Sequence, residues 1–163
     1  MLVVQPDRYD GARAARSLVS DIFSVQQGRA VAEIFLDKDH EIDVSFPAPY
    51  GELDLGAIGF AFQVLANLMA FDRVVQQSCV DECKRTGLHS DSYESDLAGI
   101  ALDAEQITLH YYGAVVNTEW YEVFSLCEGD WVHTRSGTAA GTGAVVHLEG
   151  PQGLHSGIVN ATQ

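Results

Sequence analysis

Basic residues are scarce. The chain has nine Lys and Arg against 23 Asp and Glu in 163 residues, a formal net charge of −14 at pH 7. A surface so poor in cations is repelled by phosphate backbones and anionic lipid, which argues against nucleic acid or a membrane as a direct partner. Long apolar runs are missing too. The longest, Ile58–Phe71, is interrupted by Gln63 and Asn67, whereas a membrane span needs about 20 apolar residues. The first residues, Met1 to Asp7, carry neither a basic region nor an apolar run long enough for a signal peptide, so the expected location is the cytoplasm. Cysteine is limited to Cys79, Cys83 and Cys127, and an odd number in a cytoplasmic chain argues against a disulfide framework. No G-x-S-x-G, P-loop, H-E-x-x-H or glycine-rich dinucleotide fingerprint occurs. The expectation is therefore a protein that is not an enzyme, with no catalytic residues, no cofactor and no metal.

What is present suits one globular domain. The hydrophobic fraction of 47% is normal for a folded chain, and the length is enough to bury a core without staples. The acidity is regional. Residues 33–54 hold seven acids and one base, Lys38; residues 91–130 hold nine acids and no base. Such a face either keeps the chain soluble or docks a basic partner by complementary charge.

Hydrophobic period sets the element order. Ala12, Ala15, Leu18 and Ile22 recur at helical spacing behind Asp7 or Asp10 as caps. Residues 29–37 alternate as a strand, with Ala32, Ile34 and Leu36 on one side and Glu33 and Asp37 on the other. A turn at Lys38-Asp39-His40 leads to a second strand with Ile42, Val44 and Phe46 inward and Glu41, Asp43 and Ser45 outward. Residues 54–86 read as helix, as one stretch or as two helices meeting near residues 70–72, with Gly87 placed to end it. Three strands follow at 97–102, 106–112 and 119–126, and a short one at 131–134. The expected fold is α+β: an antiparallel sheet with a helical layer packed on one face. Residues 1–135 form the domain. Residues 136–163 form a glycine-rich extension in which 144–148 is a candidate edge strand.

Cys79 and Cys83 lie four apart on a helix face, near His89. A structural zinc site needs four ligands and no second pair exists, so both cysteines are read as buried and inert. The densest aromatic stretch holds Tyr111, Tyr112, Trp120, Tyr121 and Phe124 around Gly113 and Asn117. It reads equally as a binding hot spot and as a packed strand pair.

The run Tyr111-Tyr112-Gly113, then Val116-Asn117-Thr118-Glu119-Trp120 and Val123-Phe124, resembles a signature of small bacterial proteins. In these, a helix similar to Phe71-Asp72-Arg73-Val74-Val75-Gln76 precedes it and a strand similar to residues 95–102 intervenes. Proteins of this kind look like the immunity proteins of polymorphic-toxin and contact-dependent inhibition systems. The likeness spans roughly residues 29–132. It implies a cytoplasmic protein that binds one cognate toxin domain, often a basic nuclease, and blocks it without catalysis or cofactor. The residues expected to bind that partner are Asp37, Asp39, Glu41 and Asp43 on the first hairpin and Tyr112, Asn117, Glu119 and Trp120 around the signature loop. The chain is expected to be a monomer or small homo-oligomer. Two other readings are a non-catalytic assembly module and a small hydrolase using clustered carboxylates.

Overall fold

The computed structural model describes residues 4–87, 95–113, 118–138 and 145–146. Its sheet has eight strands, ordered as they occur in the chain. They are β1 (Ser24–Gln26), β2 (Arg29–Phe35), β3 (Glu41–Pro47), β4 (Ser95–Leu102), β5 (Gln106–Gly113), β6 (Thr118–Cys127), β7 (Asp130–Thr138) and β8 (Val145–Val146). The helices are α1 (Gly11–Arg16), α2 (Leu55–Ala66) and α3 (Leu68–Thr86). Neighbouring strands are antiparallel except β3 and β4, which are parallel because α2 and α3 cross over between them. This is an α+β fold.

Strand parity decides which side each residue faces. In β2 and β3, Ala30, Ala32, Ile34, Ile42, Val44 and Phe46 are buried, while Glu33, Phe35, Glu41 and Asp43 are exposed. The pairs Glu33 with Asp43 and Ile34 with Ile42 keep that separation across the hairpin. Its turn is closed by the Leu36 N–H donating to the His40 carbonyl at 2.8 Å.

The helical stretch divides at Asn67, upstream of the expected break at 70–72. Asn67 leaves the helical region at φ −108° and ψ 16°, and its side-chain amide donates to the Gln63 carbonyl at 2.8 Å. The two helices bend by 57° there, and among the described residues no single helix is long and apolar enough to cross a membrane. Asp54 caps α2, and Gly87 ends α3 at φ +69°, a left-handed conformation that glycine adopts without penalty.

The N-terminal helix is shorter than its spacing suggested. Asp10 caps it, but it stops after six residues. Ala15 and Leu18 are buried, whereas Ala12 and Ile22 are exposed, and the chain is extended by Ser24. At the other end β7 runs three residues past position 135, the boundary drawn from glycine content. β8 pairs with Ser136 and Gly137 of the same chain.

The core lies between helices and sheet, around Phe46, Leu65, Leu68, Phe71, Tyr111, Phe124 and Trp131, each at most 1% exposed. Phe71 meets Phe124 edge-on at 5.0 Å, and Tyr111 stacks on Trp120 at 6.2 Å. Contacts of this kind contribute about 0.5–1.5 kcal/mol beyond their buried area.

One carboxylate in this core has four donors. Asp72 on α3 is fully buried. It accepts from Arg8 Nε at 2.7 Å and Arg8 Nη2 at 2.8 Å, from Gln76 Nε2 at 2.7 Å and from the Tyr111 hydroxyl at 2.8 Å. Arg8 Nη1 donates onward to the Ser95 carbonyl at 2.5 Å, and the Tyr9 hydroxyl accepts from the Leu97 N–H at 2.9 Å. Phe71 and Asp72 of α3 therefore meet Tyr111 of β5 and Phe124 of β6 inside the protein.

Asp72→Asn leaves Arg8 without its counter-charge, and Arg8→Met leaves a buried carboxylate short of two donors. Each change is expected to lower the unfolding free energy by about 3–5 kcal/mol. The double variant is expected to lose clearly less than the sum, because the groups act as a unit. Urea denaturation of the three variants checks this; additive losses would show that the pair is not coupled.

Candidate functional site

Among the described residues the helices cover one face of the sheet and none lies on the other, open face. On the open face one row of paired positions runs Glu33, Asp43, Gly99, His110, Tyr121, Gly137 from β2 to β7. Beside it lie Phe35 opposite Glu41, and Tyr112 between Asp96 and Glu119. Five exposed carboxylates thus gather on this face from four strands: Glu33, Glu41, Asp43, Asp96 and Glu119. Two large side chains stand among them, Phe35 at 56% and Tyr112 at 44% exposure. Exposed aromatics within a rim of charge are the usual make-up of a protein-binding surface.

The electrostatics of the face are those of crowded anions. The Glu41 carboxyl is held above the ordinary glutamate value by reduced hydration and then by the neighbouring carboxylates of Glu33 and Asp43. Burial pushes His110 below the ordinary imidazole value, against the opposing pull of Glu119. Two arginines border the face. Arg29 is engaged by Ser45 Oγ at 3.3 Å, the Leu102 carbonyl at 3.2 Å and Asp103 at 3.4 Å. Arg135 lies 6.0 Å from the centre of the Tyr121 ring. That ring rests on Gly137, where a Cβ would come within 2.5 Å of it.

Of the residues expected to bind a partner, Glu41, Asp43, Tyr112 and Glu119 come together on the open face. Asp37 and Asp39 are exposed in the β2–β3 turn, where Asp37 Oδ1 accepts from the Asp39 N–H at 3.0 Å. Asn117 lies outside the described residues. Trp120 faces the other way. It is 9% exposed and stacks on Tyr111 in the core, because strand parity turns position 120 inward when Glu119 and Tyr121 point outward. Asp96, His110 and Gly99 belong to the face and were not singled out. The alternation within 95–102 and 106–112 carried the signal for the first two.

Glu122, counted among the acids of its stretch, is also inward. It is 4% exposed and accepts from the Ser136 hydroxyl, with His133 Nε2 at 2.6 Å. Ser, His and Glu meet here in the wrong order for a nucleophile. An activated serine is hydrogen-bonded to the imidazole, whereas here both side chains are directed at the carboxylate. Burial of His133 at 3% exposure also keeps substrate out. Cys79 and Cys83 are buried, and burial pushes both thiols above their ordinary value, which disfavours the reactive thiolate. Among the described residues no three His, Cys, Asp or Glu converge to hold a metal ion; His89 lies outside them.

No family model, curated protein or solved structure matches this chain.

The crowding of carboxylates has a pH consequence. Glu41 titrates at a raised value and a cation beside it would favour its ionised form, so a basic peptide bound on this face would release protons in the acid range. Affinity is expected to rise with pH up to Glu41's raised value and then level off. Loss of the His110 proton adds in the same direction. Calorimetry in buffers of different ionisation enthalpy reads the proton release, which Glu41→Gln should reduce; net proton uptake would contradict the scheme.

Proposed function

We propose that the protein is the cognate inhibitor of a basic protein, an immunity protein that docks on a toxin domain through the open face of its sheet. The observation that carries this reading is the gathering of five carboxylates and two exposed aromatics on the uncovered face of a helix-backed sheet. The net charge of −14 extends that field beyond the contact, where it steers a basic partner and repels acidic ones. Phe35 and Tyr112 supply desolvated anchors once docked. If the partner acts on nucleic acid, Glu41, Asp43 and Glu119 stand where the substrate's phosphates would lie, and inhibition is steric and electrostatic at once. The likeness of the signature supports the scaffold of this reading. Its residues Phe71, Asp72, Tyr111, Trp120 and Phe124 build the core, while most of the docking residues lie outside it.

A second reading, self-assembly, is favoured by α2. No charged residue occurs in α2, and its outer stripe of Leu55, Gly59, Phe62 and Ala66 is exposed, Leu55 at 73%. Light scattering on the purified chain separates an assembly from a monomeric inhibitor.

The inhibitor reading is tested by capture from native lysate at low salt, followed by salt-gradient release. The expected result is one basic protein, released stoichiometrically, whose expression alone arrests growth and whose co-expression with this chain restores it. Recovery of nothing but copies of this chain contradicts the reading. Glu41→Lys with Asp43→Lys is expected to slow association about tenfold or more at low salt and to flatten its salt dependence. Unchanged kinetics would remove the first hairpin from the interface.

A further inference from the structure

The open face is not flat. β4 has one residue too many against β5: Leu97 pairs with Tyr111 and Gly99 with His110, leaving Ala98 as the extra residue of a bulge. Gly99 and Ala101 then stand where the flanking strands present Asp43, Ser45 and His110. The result is a slot of about 340 Å³, with Gly99 and Ala101 as floor, Asp43 and Ser45 on one wall, and His110 and Glu119 on the other. A Cβ on Gly99 would stand 3.3 Å from the Asp43 carbonyl oxygen and 4.0 Å from the His110 Cβ, between the two walls. Gly99 is not among the glycines with positive φ. Backbone conformation does not require a glycine there, and the missing side chain is what keeps the slot open.

Charge and shape narrow what fits. The two charged side chains lining the slot, Asp43 and Glu119, are anionic, and no Lys or Arg lines it. The floor is small and apolar. His110 offers a flat ring that burial keeps toward its neutral form, so it adds no positive charge near neutral pH. Arg29 touches the slot only at its rim, through the Ser45 hydroxyl, and is otherwise held by Leu102 and Asp103.

Resting on the docking reading above, we infer that the slot over Gly99 receives an arginine side chain of the basic partner. A guanidinium is planar, permanently charged and weakly hydrated. It lies against small apolar surface and an aromatic ring while donating to carboxylates at its edges. A lysine ammonium is compact and strongly hydrated, and gives up more hydration in the same place. The arginine stem covers Ala101, and its head has Asp43 to one side and Glu119 to the other.

The test is an amide-resolved NMR titration of the full chain with N-acetyl-arginine methylamide, beside its lysine and citrulline counterparts. Arginine is expected to give saturating shifts at Gly99, Ala101 and His110, lysine weaker ones, and neutral citrulline none. Gly99→Val fills the slot and abolishes the response. Asp43→Asn with Glu119→Gln, at two exposed positions, abolishes it while leaving the rest of the spectrum in place, and decides the matter if the valine variant does not fold. Non-saturating shifts, an equal response to lysine, or a response that survives these variants overturns the inference. Capture of a basic protein without any arginine response overturns the slot and leaves the docking face standing. A slot response without a captured partner overturns the docking reading and leaves a site for arginine itself.

Discussion

The buried carboxylate of Asp72 is the interaction on which the rest of the structure depends. It sits on α3, yet its donors come from the N-terminal segment through Arg8, from its own helix through Gln76, and from β5 through Tyr111. Arg8 and Tyr9 carry the connection to β4 through the Ser95 carbonyl and the Leu97 N–H. Two charges removed from water cost several kcal/mol each, recovered only because every partner is in place. The pair therefore acts less as a source of stability than as a constraint: it admits one arrangement of the N-terminal segment, α3 and the middle of the sheet. Burial pushes the Tyr111 hydroxyl far up and Asp72 pushes it further, which keeps it a donor. Gln76 closes the set by bonding to both the amide and the carbonyl of Gln5.

That constraint fixes what the open face presents. β4 and β5 carry Gly99, His110 and Tyr112 outward because Leu97, Leu109 and Tyr111 are held inward. With the helices occupying one side, the carboxylates of Glu33, Glu41, Asp43, Asp96 and Glu119 share the other. Like charges at this spacing repel, as the raised value of Glu41 records. Among the described residues no arginine forms an ion pair with Glu33, Glu41 or Asp43; the ion pairs use Asp72, Asp103, Glu82 and Glu122. On the proposed reading a cationic partner would supply the missing charge, and its binding would be linked to proton release.

Much of this was legible in the sequence. Period-two alternation placed Ile34, Ile42, Val44 and Phe46 inward and Glu33, Glu41 and Asp43 outward, and Gly87 was recognisable as a helix stop. What was hidden has physical reasons. Asn67 breaks the helical stretch through its backbone and its own side-chain bond to Gln63, a local choice that an apolar stripe does not reveal. Trp120 and Glu122 look like surface residues by composition, but a strand turns alternate residues inward whatever their chemistry. Glu122 is tolerated there because Ser136 and His133, distant in sequence, meet its carboxylate. Asp72 and Tyr111 are 39 positions apart, and nothing local marks either as a partner. The slot depends on a bulge, which appears only once β4 and β5 are in register.

The central claim is that the open, acidic face is the binding surface. The most direct measurement is carboxylate footprinting by mass spectrometry of the chain alone and in complex with its captured partner. The account predicts strong protection of Glu33, Glu41, Asp43 and Glu119, with Asp10, Asp81 and Glu82 on the helical side labelled equally in both states. Protection concentrated at Asp81 and Glu82, with the sheet carboxylates still open to reagent, would contradict it.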